Sequence, residues 1–428
     1  MAAFDALIGK ALRGINRRVL RFPQADHEPF LPLADRTKRY LLYLHVPYCK
    51  VLCPFCSFHR VRFKQDSAER YFGCLHREIE LAGDLGYRFD EVYVGGGTPT
   101  VLPQQLAATL QYLRQQHPVN CVSVETNPDD LEKESVARLC DSGVNRLSVG
   151  VQSFDDDLLQ EMKRLEKYGN GEQMAARLKH AHGRFDTLNI DMIFNFPHQT
   201  EKSLRRDLDI LIDDIGADQV SWYPLMTASS TRRPMLQHMG SVDHSRERDM
   251  YELIVERMLQ AGYLRNSAWC FSRQKGLFDE YIVDHEEYVG LGSGSFSYLQ
   301  GHLYASTFSI NHYLNLVATG RTGIVRQRAM SERDQMHYYL LMRLFSGSLD
   351  TAQAERRFAG RFGKVLWPEL TALRLAGALQ RDQSQLRLTE KGFFLWVTMM
   401  REFFGGVSDL RDDMRHHIAE EHFSVADQ

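Results

Sequence analysis

The sequence predicts an α/β protein: an open, partial (β/α)6 barrel of TIM-like design, followed by a small C-terminal helical, winged-helix-like module. Three observations predict it. Six short apolar strand candidates alternate with helical segments between residues 40 and 230. That alternation is the pattern of a parallel sheet with right-handed crossovers. Six units are too few to close an eight-stranded barrel. From residue 331 the pattern becomes helical again, and "LRLTEKGFFLWVTMMREFF" reads as a short strand, a turn at Gly392 and a helix.

These patterns divide the chain into a basic N-terminal extension (1–38), a partial-barrel core (39–230), a less regular barrel extension with a substrate region (231–330) and the C-terminal module (331–428). In the extension, Phe4, Ile8, Leu12, Ile15, Val19 and Phe22 recur at steps of three or four, one helical stripe. Lys10, Arg13, Arg17 and Arg21 fall on another face. Such a helix over residues 1–22 can lie on an anionic membrane surface, or pack on its own domain with a solvated basic face.

The strand candidates, in order, are "RYLLYLHV", "EVYVGG", "NCVSVE", "NRLSVGVQ", "LNIDMIF" and "QVSWYPL". Intervening helices include "SAERYFGCLHREIELAGDL", "PQQLAATLQYLRQQH", "DLEKESVARLCDSG" and "EKSLRRDLDILIDDIG". In such a sheet, functional groups gather at the carboxyl ends of the strands. Residues 231–330 hold the helix "RERDMYELIVERMLQAGY" and the glycine-punctuated "YVGLGSGSFSYLQG".

Composition narrows the function classes. The 428 residues are 43% hydrophobic and 25% charged, with a formal net charge of −3, so bulk charge points to no nucleic-acid partner. No apolar run reaches the ~18 residues of a membrane span, and the N-terminus lacks the apolar core of a signal peptide. The expectation is a cytoplasmic protein, peripheral on the inner face of the membrane if the N-terminal helix binds there. Clustered cysteines in that compartment are metal ligands more often than disulfides. Cys74, Cys121, Cys140 and Cys270 are scattered singly and read as small buried hydrophobes.

Cys49, Cys53 and Cys56 form C-x3-C-x2-C in "HVPYCKVLCPFCSFHR". A structural zinc site wants four protein ligands, and His45 or His59 could supply the fourth. A [4Fe–4S] cluster also wants four, and three thiolates leave one iron open to a small molecule. Further on, "GGGTPT" follows a strand and precedes a helix. It reads as a tight turn, or as a place where the backbone approaches a ligand and offers it N–H groups.

The cysteine stretch, with Phe55 before its last cysteine, resembles the signature of radical S-adenosylmethionine (SAM) enzymes. That resemblance implies that Cys49, Cys53 and Cys56 hold a [4Fe–4S] cluster whose fourth iron is chelated by S-adenosylmethionine. The reduced cluster then cleaves the sulfonium to methionine and a 5′-deoxyadenosyl radical, with a flavodoxin- or ferredoxin-type protein as electron donor. It also implies cofactor-binding roles for Gly95, Gly96, Gly97 and Thr98 at the methionine moiety and for Glu125 at the nucleoside or amino group. Gln152 and Arg164 would hold the cofactor, the arginine as a carboxylate clamp, and Asp191 would bind ribose.

"YLHVPYC", "VYVGGGTPT", "GVNRLSVGVQSF" and "FPHQT" are similar to markers of the oxygen-independent coproporphyrinogen III oxidase family, over nearly the whole chain. Departures divide that family. Phe58 stands where the decarboxylating oxidases have a further cysteine. "SAWCFSRQKGLFDEY" lacks the HNxxYW-type motif of the related heme chaperones. Asn195 replaces the glycine of a "GLPGQT" segment, and "KRLEKYG" keeps Arg164 but loses a following histidine. What remains resembles the class C radical methyltransferases, which use two S-adenosylmethionine molecules to methylate an sp2 carbon of a flat ring. The basic helix selects a bilayer substrate, the naphthoquinone of menaquinone methylated at C-8. Single basic residues near an anionic surface contribute ~1 kcal/mol each. "SWYPLM", Trp269, Phe271, Phe296 and Tyr298 would suit such a ring or form core. A tetrapyrrole enzyme, either an oxidase or a heme-opening methyltransferase, and a non-enzymatic heme chaperone are the alternatives.

Overall fold

The computed structural model describes Phe22, residues 29–274 and residues 285–418. The reading of residues 1–22 as an amphipathic helix lies outside the described residues, Phe22 apart.

Strands β1 (Tyr40–Val46), β2 (Phe89–Gly96), β3 (Cys121–Thr126), β4 (Arg146–Gln152), β5 (Thr187–Phe194) and β6 (Gln219–Pro224) lie side by side in sequence order, all parallel. All seven residues of "YLLYLHV" are buried, the apolar run expected of a strand covered on both faces. The crossovers carry helices α1 (Gln65–Asp84), α2 (Pro103–Gln116), α3 (Lys133–Asp141), α4 (Gly171–Ala181) and α5 (Glu201–Asp209). Each buries one apolar face; Tyr71, Phe72, Leu75 and Ile79 do so in α1. Capping boxes at Asn170 and Thr200 satisfy the first N–H groups of α4 and α5. The open six-unit α/β architecture read from the sequence is the observed one.

Residues 231–330 hold more sheet than their sequence suggested. Beyond α6 (Ser229–His238) and α7 (Glu247–Gln260), strands β7 (Leu264–Arg265) and β8 (Cys270–Ser272) extend the sheet antiparallel past β6. Then β9 (Tyr288–Leu291) returns to the opposite edge and pairs parallel with β1. Antiparallel β10 (Phe296–Leu299), β11 (His302–Ser306) and β12 (Ile324–Ala329) follow. The twelve strands run β12-β11-β10-β9-β1-β2-β3-β4-β5-β6-β8-β7. Gly292 and Gly294 turn the chain between β9 and β10 at positive φ. A Cβ on either would strike His45's carbonyl oxygen (2.5 Å) or the His59 ring (2.4 Å). Those glycines therefore let this arm pack on the residues flanking the cysteines.

The C-terminal region combines helices with a three-stranded antiparallel sheet: α8 (Glu332–Phe345), β13 (Ser348–Asp350), β14 (Leu379–Asp382), β15 (Gln385–Leu388) and the long α9 (Glu390–Ile418). Gly392 is not a turn, as read from the sequence; it lies in the first turn of α9. A Cβ there would sit 2.0 Å from the Ala378 oxygen, so its glycine answers a close approach, and its N–H is capped by Thr389 Oγ1 at 3.0 Å. Trp222, Trp269 and Phe271 are fully buried and Tyr298 nearly so, which makes them core. Of the aromatic group, Tyr223 and Phe296 are half-buried.

Candidate active site

The carboxyl ends of β1 to β5 converge on the cysteine loop. Val46 ends β1. Two short parallel bridges, Tyr48 with Val61 and Cys49 with Arg62, then tie off the base of the loop. Val61 N donates to Pro47 O at 2.7 Å and Phe63 N to Cys49 O at 2.9 Å, while Cys56 N donates to Cys53 O across the turn. Cys49 and Cys53 are buried and Cys56 half-buried, all three free thiols. Burial pushes the Cys49 thiol up to about 11, with Cys56 beside it adding to the rise. A bound metal would offset that by taking the thiolate form.

Two donors reach the sulfurs: Thr98 Oγ1 to Cys49 Sγ and Arg164 Nη1 to Cys53 Sγ, each at 3.6 Å. Gly97 passes so close that a Cβ would lie 2.8 Å from Tyr48 O and 3.0 Å from Cys49 Sγ. Three unpaired thiols at the mouth of a sheet, with donors aimed at two of them, are a donor set that fits an iron–sulfur cluster.

Neither histidine joins them. His45 Nε2 donates to His59 O at 2.9 Å, so its Nδ1 accepts from Tyr43 OH at 2.9 Å and both ring nitrogens are engaged. Burial pushes His45 down to about 4. His59 packs on His45, Phe308 and Ser293. Among the described residues, no three His, Cys, Asp or Glu converge as a site for a single metal ion.

The glycine run works differently from its sequence reading. Its N–H groups are not free for a ligand: Gly96 N donates to Glu125 Oε2 (3.0 Å), Gly97 N to Val46 O (2.8 Å) and Thr98 N to Tyr48 O (2.8 Å). The glycines instead make room, since a Cβ on Gly95 would lie 2.7 Å from Glu125 Oε1.

Glu125 also accepts from Tyr93 OH at 2.9 Å. Burial pushes it up to about 7, with the Asp191 charge second. Asp191 accepts from Ser148 Oγ and Asn189 Nδ2, both at 2.8 Å, and burial raises it to about 6. Gln152 ends β4 at φ 78° after an irregularity in the β4–β5 register. Such left-handed residues at strand ends mark positions held by their surroundings. Arg164 is 3% exposed. It bonds Gly150 O and lies 4.2 Å from the Tyr168 ring centroid, and its Nε is buried without a partner. The sequence-assigned positions thus gather towards the carboxyl ends of the strands, with Asp191 inside β5 and Arg164, beyond β4, reaching back to Gly150 O.

Sequence reasoning missed the contribution of α9. Ser408 Oγ meets Ser57 Oγ at 2.9 Å, Arg415 Nη2 donates to Phe58 O at 2.9 Å, and the Arg411 guanidinium lies over the Phe58 ring (4.9 Å) and the Phe296 ring (6.0 Å). Along the N-terminal half of the same helix, a cavity of about 830 Å³ opens, lined by Thr227, Met235, Glu247, Phe394, Arg401 and Asp409 among others and by none of the three cysteines. Its size is that of a small-molecule site. No local pattern announces contacts between residues about 350 positions apart.

Residues 43–211 match the family model of the radical SAM superfamily. The chain has a radical SAM fold. It is similar to the heme chaperone HemW of Lactococcus lactis subsp. lactis (strain IL1403), 29% identical over 373 residues, covering 84% of this chain and 96% of that one. It is similar to the anaerobilin synthase of Escherichia coli O157:H7, 28% identical over 84% of this chain and 82% of the other. Among solved structures, coproporphyrinogen III oxidase (HemN) from Escherichia coli superposes with a TM-score of 0.74. That alignment covers 91% of this chain and 98% of that one at 22% identity, a likeness of fold. The match of residues 43–211 to the radical SAM superfamily model implies a [4Fe–4S] cluster and S-adenosylmethionine, and radical SAM enzymes need an electron donor.

Proposed function

We propose that this chain is a radical SAM methyltransferase acting on an sp2 carbon of a flat lipophilic ring, with menaquinone as the substrate and C-8 of its naphthoquinone as the methylated position. In this reading Cys49, Cys53 and Cys56 ligate the cluster. Gly95, Gly96, Gly97, Thr98, Glu125, Gln152, Arg164 and Asp191 form the cofactor wall, and a second S-adenosylmethionine donates the methyl group. When bound, the cluster and its cofactor supply a carbon-centred radical. The chain's own task is to hold that chemistry away from water and to place a ring beside it.

The observation that carries the methylating reading is Phe58. It is 46% exposed beside the cysteine loop, where porphyrinogen oxidases carry another cysteine, and its ring lies under Arg411. An apolar ring there supplies a surface for a flat substrate rather than a thiol. The cavity beside α9 has room for such a ring. Arg164, buried without a carboxylate within ion-pair distance among the described residues, supports an anionic cofactor group at Cys53.

A second reading, tetrapyrrole chemistry or heme handling, is favoured by a relative named as a heme chaperone. Quinone mass spectrometry separates the two. Deleting the gene is expected to remove a menaquinone species 14 Da heavier than the parent, and adding it back to restore that species. A heavier species that persists in the deletion strain overturns the quinone reading. Heme binding at submicromolar affinity by the reconstituted protein, with no 5′-deoxyadenosine formed under reducing conditions, would favour the chaperone.

A further inference from the structure

Arg60 stands four residues after Cys56 and turns back over the cysteine loop. Its Nη2 donates to the carbonyl oxygens of both Cys53 (2.6 Å) and Cys56 (2.7 Å). These are the two oxygens that flank the turn bearing the second and third thiols. The side chain is half-buried, its Nε is fully buried without a partner, and no carboxylate lies within ion-pair distance among the described residues. On α9, Asp412 pairs with Arg415. An uncompensated guanidinium is costly in such a place unless it faces negative charge. The groups it faces are the thiols of Cys56, Cys53 and Cys49, which become negative on ligating a metal.

We infer that Arg60 is a positioning residue with two effects. Its paired bonds fix the Cys53–Cys56 turn and hence the spacing of the thiols. Its charge favours the more negative, reduced state of the group they hold, so it raises the reduction potential. Three thiolates already make that group anionic, and adding an electron beside a fixed cation in a low-dielectric loop costs less than adding it there without one. Arg411 and Arg415 approach the same loop from α9, but they meet Phe58 rather than the cysteine carbonyls. The inference rests on the reading that Cys49, Cys53 and Cys56 hold an iron–sulfur cluster.

The full-length chain and its Arg60→Gln and Arg60→Lys variants are reconstituted anaerobically with iron and sulfide. Iron per chain is measured, and the cluster is titrated with reductant by electron paramagnetic resonance. In Arg60→Gln the reduced-to-oxidised ratio at a fixed potential is expected to fall at least tenfold, which for one electron is ~59 mV. Arg60→Lys keeps the charge and is expected to recover most of that shift. Loss of iron from an Arg60→Gln chain with a wild-type circular dichroism spectrum also supports the positioning role. Wild-type iron content with an unshifted ratio in Arg60→Gln overturns it. Failure of the wild-type chain to take up iron overturns the cluster reading instead.

Discussion

Arg164 donates from Nη1 to the sulfur of Cys53 across 3.6 Å, although 111 residues separate them. The same guanidinium reaches Gly150 O near the end of β4 and Asn127 Oδ1 beyond β3, so it ties two strand ends to the cysteine loop. With Nε buried and unpartnered and the second Nη1 hydrogen unassigned, it has two donors left for a ligand. Arg164→Met is expected to weaken S-adenosylmethionine binding to the reconstituted protein at least tenfold, ~1.4 kcal/mol, by equilibrium dialysis. Because the arginine also touches Cys53, a change in the cluster's visible spectrum should accompany the loss. Unchanged affinity would reject the assigned role.

Gly97 fills the narrowest point between the glycine run and the loop. The methyl of Gly97→Ala would press on Pro47 C and Tyr48 O, both 2.8 Å away, and on Cys49 Sγ. Backbone neighbours do not yield, so the loop must move. Overpacking of this kind costs ~1–3 kcal/mol. The variant is expected to melt a few degrees below wild type and to take up less iron on reconstitution, read by differential scanning fluorimetry and iron assay. Full iron uptake would show that the loop has slack.

Glu125 and Asp191 give the site a pH signature. Glu125 rises from an ordinary 4.5 to about 7, first because it is buried and second because Asp191 is near. A folded-state value above the unfolded one means that its contribution to stability is full below about 4.5 and fades as pH climbs through 7. Glu125→Gln removes the charge but keeps an acceptor for Gly96 N–H. The ligand-free variant is therefore expected to melt above wild type at pH 8 and level with it at pH 5. Equal shifts at both pH values would show that the carboxylate stays ionised throughout.

The six central strands were legible because strands covered on both faces are written as continuous apolar runs, as in "YLLYLHV". The arm from β9 to β12 was not, because "YVGLGSGSFSYLQG" is broken by glycines whose reason is the approach of His45 and His59 from elsewhere in the chain. The cysteine spacing was legible as chemistry. The fate of the glycine N–H groups was not, since their acceptors, Glu125, Val46 and Tyr48, are set by register. Asn195, which looked like a departure from a glycine, sits at φ 69°, a left-handed conformation that asparagine tolerates better than other side-chain-bearing residues.

The contact between α9 and the cysteine loop yields the last expectation. Phe58 is the exposed face of that loop, and α9 covers it through Arg411 on the ring, Arg415 on the carbonyl and Ser408 on Ser57. The helix keeps a separate anchor, because Asp409 accepts from Ser229 Oγ (2.9 Å) at the start of α6, whereas Asp412, which accepts from Ser230 N (2.8 Å), is also the ion-pair partner of Arg415. Substituting both arginines should therefore uncover the loop without releasing the helix. In an Arg411→Ala/Arg415→Ala chain, the reconstituted ~400 nm absorbance expected of iron–thiolate ligation should bleach several-fold faster in air than in wild type, with a lowered melting temperature because the buried Asp412 loses its ion-pair partner. Both guanidinium groups are half-buried on the loop, and shielding from solvent governs how long such a cluster survives. Equal bleaching rates would mean that oxygen enters by another face of the barrel and that α9 serves the cavity alone.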